Sequence, residues 1–398
     1  MTNTADNKTL YLNQVGIVCN LGAGVEEVAR NLFSTGNPVQ YLQQSASYST
    51  GRTLPVGEIS TPLADVSIAE EDSRNNRILT TALTPLRSQI EDLKKSYGEH
   101  RIGVVIGTST SGIAEGEFAL AAYKEEHEWP SNYNYRTQEI SAPSRYVSRW
   151  LGLRGPAFSV SSACTSGSKA LASAARLIRL GVCDAVIAGG VDSLCKMTIE
   201  GFSSLGVTTD KTCNPFSANR DGINIGEGAG VFIMSKEPSD VVLAGWGETS
   251  DAYHVSSPDP EGLGAAMAMK KALQCAELEP EAIDYLNFHG TGTLQNDAME
   301  ARASHRIFGS DIACGSTKPL TGHTLAAAGA IEAIFCWLAL QRDDGLLPPH
   351  RWDGQYDKAL PILNKIAAPC VQGQLKATIS NSFAFGGNNA SLILVRKK

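Results

Sequence analysis

Apolar residues fall into two rhythms along the chain. Short unbroken apolar runs occur at RIGVVIG (101–107), CDAVIAGGV (183–191), GVFIMS (230–235), VVLAGWG (241–247), DYLNFHG (284–290), KATISNS (376–382) and SLILVRK (391–397). Runs without polar alternation predict strands covered on both faces. Between them lie stretches of helical character over 166–181, 262–277, 296–308 and 324–342. Strands alternating with helices predict an α/β protein layered helix–sheet–helix or deeper. The polar region 36–75 reads as surface loops and short elements, and 203–224 as a loop able to cap a site.

The pattern repeats faintly. SACTSGSKALASAARL (162–177) precedes the strand CDAVIAGG, and GHTLAAAGAIEAIF (322–335) precedes the strand KATISNS. Helices so rich in Ala and Gly pack closely, and two similar halves facing each other would bury both. The boundary is expected near 240–250, giving halves 1–245 and 246–398. The run TLAAAGAIEAIFCWLAL (324–340) is apolar on all sides, but it is short for a membrane span and carries Glu332 at its middle. It predicts a deeply buried helix of a soluble fold.

Composition narrows the function classes. The 398 residues are 42% hydrophobic and 19% charged, with net charge −7. No basic block appears, so nucleic acid is not an expected partner. An acidic partner would have to meet a local basic patch. The first ten residues, MTNTADNKTL, hold no apolar signal region. The nine cysteines form no CxxC pair and are odd in number, which predicts reduced thiols and a cytoplasmic setting.

Candidate chemistry centres on Cys164. The run AFSVSSA leads into it and a helical segment follows, with Leu171, Ala175 and Ile178 on one face. Such an elbow puts a side chain at a helix N-terminus, where the macrodipole favours a thiolate suited to acyl transfer. Of seven histidines, His289 ends a strand and opens HGTGT, and His323 sits in STKPLTGHTLAAAG at the head of the apolar helix. Both stand beside glycines that let a ligand approach. Their spacing lacks the HxxxH pattern of a metal site, so no metal is expected. The other five, His350 among them, lie among polar or charged residues and receive no chemical role.

In this order, SSACTSGS, NPFSANRDGINIGEGAG (214–230), HGTGT, STKPLTGH and SNSFAFGGNNASL (380–392) resemble the elongating beta-ketoacyl-[acyl-carrier-protein] synthases of the thiolase superfamily. The resemblance covers most of the chain from about residue 100. It implies a thiolase fold, two βαβαβαββ halves in a five-layer α-β-α-β-α sandwich. It implies a catalytic set of Cys164, His289 and His323, supported by Lys318, Glu332 and Glu300. Thr291 and Thr293 match threonines that hold a phosphopantetheine arm. Phe385 matches a gating phenylalanine, with Phe383 beside it, and the backbone N–H groups of Cys164 and Phe385 match the oxyanion donors. The implied reaction is decarboxylative condensation of a Cys164-bound acyl group with malonyl-acyl carrier protein. Its substrates ride on phosphopantetheine and no other cofactor is implied. Acyl carrier protein and a like or related second subunit are the implied partners.

Some residues depart from the pattern. Gln14–Gly16 replace a Val-Thr-Gly-Met-Gly run, and Ala384 and Asn388 stand where Gly and Thr are commoner. Ala384 is expected to stiffen the gate, since a Cβ restricts the backbone. The departures suggest a specialised, polyene-type synthase with a heterodimeric partner. One rival is a silent subunit of the chain-length-factor type, which loses the nucleophile that Cys164 retains. A biosynthetic thiolase needs a second cysteine near the C-terminal glycines, and NSFAFGGNN has none. An acetyl-priming synthase uses one histidine and an asparagine, against which Gly322–His323 argues.

Overall fold

A computed structural model describes residues 9–34 and 41–397. The extreme N-terminus and part of the polar 36–75 region therefore lie outside the described residues. The remainder of that region forms a small hairpin, Gln43–Ser45 with Leu54–Val56, followed by loops.

Ten strands carry the architecture: β1 (Tyr11–Cys19), β2 (Ile102–Gly107), β3 (Ala157–Val160), β4 (Ala185–Asp192), β5 (Gly228–Ser235), β6 (Val241–Ser250), β7 (Tyr285–Asn287), β8 (Ala313–Gly315), β9 (Ala377–Ala384) and β10 (Asn388–Arg396). They run β3-β2-β4-β5-β1 and β8-β7-β9-β10-β6. The second order repeats the first with the same parallel and antiparallel pairings. The two sets meet edge to edge through the pairing of Tyr11 with Val242. The faint sequence echo is thus a repeated topology. Because β6 opens the second set, a cut at 245/246 runs through a strand. We propose that the halves divide ahead of Val241.

Three apolar cores separate five layers. One joins helices α1 (Arg74–Leu83) and α2 (Ala142–Leu151) to the outer face of the first set. Another joins α4 (Leu263–Ala276) and α5 (Leu294–Phe308) to the outer face of the second. Between the sets lie α3 (Ser166–Arg179) and α6 (Ala328–Leu340), whose apolar residues share the third core with both. This is the five-layer thiolase arrangement.

The small residues of α3 and α6 have a steric reason. A Cβ on Gly167 would stand 2.8 Å from the Ala326 carbonyl oxygen and 3.0 Å from the Ala330 nitrogen. Only glycine lets the backbones come so close. The apolar run 324–340 becomes this central helix, and no helix among the described residues is long and apolar enough to cross a membrane. The helix begins later than the pattern predicts. Leu325 has φ +53, which breaks the run into a 3₁₀ turn (Leu325–Ala327) and then α6.

Candidate active site

Both central helices point their N-terminal ends at one pocket. Strand β3 ends at Val160, the chain turns sharply, and α3 begins at Ser166. Ala163 at the bend has φ +49, a left-handed conformation that costs a non-glycine residue about 1 kcal/mol. The Ser166 hydroxyl accepts from Ser162 N–H and donates to the Ala163 carbonyl, holding the bend. Cys164 is thereby carried at the elbow, buried but lining a pocket of about 360 Å³.

His323 reaches the same point from the other half. Its backbone N–H donates to the Asn224 carbonyl and its carbonyl accepts from Gly226 N–H. The stretch INIGEG therefore acts as a splint for His323, a role that its motif did not reveal in the sequence. His323 Nε2 lies 2.9 Å from Cys164 Sγ. Burial, then the nearby Lys318 charge, pushes the His323 pKa well below its ordinary range, so the ring is neutral.

His289 stands edge-on to His323, ring centroids 5.0 Å apart. Its backbone N–H donates to Glu300 Oε1 (2.8 Å), and Gly290 N–H donates to Glu300 Oε2 (2.7 Å). Glu300 comes from α5, so that helix fixes the end of the strand. Burial raises the Glu300 pKa to about 8 against the pull of these two bonds. Lys318 Nζ lies 3.4 Å from His289 Nδ1 and also donates to the His289 carbonyl. An ammonium has only N–H donors, so Nδ1 must present a lone pair and Nε2 must carry the proton. Nε2–H therefore faces the pocket. Burial, with Lys318 and His323 adding to it, keeps this ring neutral as well.

Lys318 pairs with Glu332 at 2.6 Å, and their side chains are 1% and 3% exposed. Glu332 in the middle of an apolar helix thus has a buried partner. Burial raises its pKa, opposed by that partner.

Thr291 and Thr293 line the pocket with their hydroxyls 3.0 Å apart. Thr293 also caps α5 through Asn296 N–H. Phe383 is buried edge-on to His289 at 6.2 Å. Phe385, 36% exposed, leans over the pocket against Phe202 at 5.6 Å. All ten residues singled out from the sequence thus converge on one place.

Two expectations change. A helix N-terminus was expected to favour a thiolate, yet burial, with Asp192 adding to it, pushes the Cys164 thiol up to about 12 despite the Lys318 charge. Burial outweighs the Lys318 charge that favours the thiolate, so the resting group is a thiol beside His323. Ala384 carries its Cβ without strain. It is extended, with φ −134, a conformation open to any residue, and the left-handed positions are Gly386 and Gly387. His350, passed over as one of five ordinary histidines, is buried and accepts from Ser316 N–H at 3.0 Å. The Ser316 hydroxyl donates to the Gly290 carbonyl, which connects His350 to the turn beside His289.

Sequence spacing argued against a metal. The fold nevertheless brings ligand atoms of Cys164, His289 and His323 within 4.8 Å of one another. The Lys318 charge behind His289 opposes a cation there.

Pocket-lining residues missed in sequence include Phe202, Leu205, Val207 and Ile223. All four belong to or flank the 203–224 loop expected to cap a site. Asn388, one of the departures, accepts from Lys169 Nζ at 2.7 Å and so ties the start of β10 to α3.

Known proteins resemble this chain in sequence and in fold. The chain matches the beta-ketoacyl synthase N-terminal domain over residues 77–239 and the beta-ketoacyl synthase C-terminal domain over 241–351. It is 41% identical to nodulation protein E of Rhizobium leguminosarum bv. trifolii over 63% of this chain, a match that spans 64% of that protein. It is 30% identical to 3-oxoacyl-[acyl-carrier-protein] synthase 2 of Staphylococcus aureus (strain COL) over 98% of both chains. It superposes with TM-score 0.91 and 41% identity on a chain of the complex between the ketosynthase ApeO and its chain length factor ApeC from Xenorhabdus doucetiae, over the whole of both chains. With its two sheet sets, its Cys-His-His pocket and these relatives, the chain belongs to the beta-ketoacyl synthase family.

Proposed function

We propose that this chain condenses a Cys164-bound acyl group with malonyl-acyl carrier protein to give 3-oxoacyl-acyl carrier protein. The observation that carries the reading is the 2.9 Å contact of Cys164 Sγ with His323 Nε2, beside His289, whose Nε2–H faces the pocket. In the first half-reaction the Cys164 proton passes to His323, and the sulfur attacks the carrier thioester. The carrier thiol then leaves with that proton. Backbone N–H groups of Cys164 and Phe385 are the oxyanion donors this reading assigns, each worth about 3 kcal/mol.

In the second half-reaction the malonyl carboxylate leaves as carbon dioxide, and the bond's electron pair moves into a thioester enolate. His289 Nε2–H donates to that charge, and His323 joins it once its ring carries its proton on Nε2; both imidazoles stay neutral, so no added proton has to be removed. The enolate carbon attacks the acyl carbonyl, and Cys164 departs as a thiolate and takes up from solvent the one proton that loss of carbon dioxide from a carboxylate consumes. Thr291 and Thr293 hold the phosphopantetheine arm, and Phe385 gates the acyl side. The reading calls for no metal and for no cofactor beyond the carrier's own arm.

Partners follow from the relatives. A synthase acting on carrier-bound substrate needs acyl carrier protein, and the ketosynthase–chain length factor complex supports a related second subunit; the departures at Gln14–Gly16, Ala384 and Asn388 suggest a polyene-type pathway. Nine unpaired cysteines fit a reducing, cytoplasmic setting. The silent-subunit alternative gains no support, because Cys164 and both histidines meet in one pocket.

Mass spectrometry of the chain after incubation with acyl-carrier protein tests the proposal. An acyl adduct on Cys164, discharged as 3-oxoacyl product when malonyl-carrier protein is added, supports it. A chain that takes no acyl group, alone or with its partner subunit, is a silent subunit instead.

A further inference from the structure

Outside the catalytic set, a fully buried carboxylate lies at the seam between the halves. Asp192 ends β4, and its two oxygens gather six hydrogen bonds. Oδ1 accepts from the backbone N–H of Ser109 (2.8 Å) and Thr110 (2.9 Å), and from the hydroxyls of Thr108 (2.8 Å) and Thr110 (2.9 Å). Oδ2 accepts from the Ser109 hydroxyl and, at 2.8 Å, from the backbone N–H of Ala326. Ala326 lies three residues after His323 and directly after Leu325, whose left-handed φ turns the chain into α6. The same stretch is wedged sterically. A Cβ on Gly190, two residues before Asp192, would stand 2.7 Å from the Ala326 carbonyl oxygen.

We propose that Asp192 is a positioning residue that clamps the His323 turn onto the nucleophile elbow and so sets the distance between His323 and Cys164. Its first oxygen is anchored to the turn after β2, in the same half as Cys164. Its second reaches across to the half that carries His323. Backbone N–H groups point at both oxygens and cannot rotate away, so only a carboxylate satisfies both sides. An amide must turn its NH₂ against either Ala326 N–H or the Ser109 and Thr110 N–H groups, leaving a buried donor facing a donor. The buried negative charge has a second effect, because it raises the pKa of the Cys164 thiol.

These two effects separate a positioning role from a merely structural one. The inference rests on Cys164 as the acyl-carrying nucleophile. In Asp192→Asn, condensation should fall roughly tenfold to a hundredfold, with KM for malonyl-carrier protein little changed. The pH profile of Cys164 alkylation by iodoacetamide should meanwhile move to lower pH, because a negative charge near the thiol is gone. Thr110→Val removes one hydroxyl donor to Asp192, together with the acceptor of Ser193 N–H, and keeps every backbone donor to Asp192. It should fold, slow condensation severalfold and shift the alkylation profile the other way, because the remaining charge is less compensated. Should Asp192→Asn yield no soluble protein, Thr110→Val decides by the same two readouts. Condensation at the wild-type rate in the variants, or slowed condensation with an unmoved alkylation profile, overturns the proposal. If the wild-type chain itself takes no acyl group, the proposed function fails, while the alkylation shift still tests the clamp.

Discussion

His323 Nε2 lies 2.9 Å from Cys164 Sγ across a sequence separation of 159 residues. The contact joins one half of the repeat to the other, and each partner comes from the N-terminal end of a central helix. Under the proposed mechanism it divides the chemistry into a sulfur that holds the chain and imidazoles that act on the malonyl unit.

That division predicts the behaviour of Cys164→Ala. The variant cannot form an acyl adduct, so condensation is lost. Both histidines keep their supports, so malonyl-carrier protein should still release carbon dioxide. Product analysis with parallel carbon dioxide detection checks this. Loss of both activities would show that the histidines need the sulfur to act.

His289→Ala removes the Nε2–H donor that Lys318 orients from behind. Malonyl decarboxylation should drop by about 10²–10³-fold, the usual effect of removing one donor to a developing oxyanion. Acylation of Cys164 should change far less, because His323 remains as its base. Single-turnover acylation measured beside decarboxylation distinguishes the two steps, and an equal loss in both would contradict the assigned roles.

Glu332→Ala leaves the Lys318 ammonium buried without its counter-charge. Removing one member of such a pair destabilises by about 3–5 kcal/mol. Glu332→Gln keeps an acceptor near Lys318 Nζ and should cost less. Urea unfolding of the three proteins gives the order wild type, Glu332→Gln, Glu332→Ala. A Glu332→Ala variant as stable as wild type would mean that water or a neighbour solvates Lys318.

His350 predicts a pH effect. Burial lowers its pKa from 6.5 to about 4, against the opposing hydrogen bonds with Ser316 and Pro215. Between those values the unfolded chain binds a proton that the folded chain refuses, so acid favours unfolding. Compared with His350→Gln, wild type should lose about 3 kcal/mol of stability as the pH falls through this window. Unfolding free energies of both proteins from pH 7 to pH 4 check the slope. Parallel curves would mean that His350 titrates normally.

Much of the site was legible because its residues sit where elements end. Cys164, His289 and His323 each lie at the tip of a strand or helix and beside small residues, and those local signals survive without the fold. The strands 101–107, 183–191 and 230–235 were legible for a similar reason, since unbroken apolar runs match burial on both faces. The supports were harder to see. Asp192 has nothing in its local sequence to distinguish it from a strand-end aspartate, and its donors come from two segments far from it in sequence, 108–110 and Ala326. His350 sits between Pro349 and Arg351 in sequence with no local mark of a buried role, and only folding buries it behind Ser316. The Cys164 thiol was misjudged because the dipole of α3 is a local property, whereas desolvation depends on what two halves exclude together.

The sequence by itself determined the alternation of elements, the small residues of the central helices and the chemical types at the pocket. Those follow from periodicity and side-chain chemistry, which are written along the chain. The tertiary structure decided the distances, the tautomer of His289 and the neutral state of Cys164. Each of these depends on groups far apart in sequence meeting in a region from which water is excluded, and no local pattern encodes such a meeting.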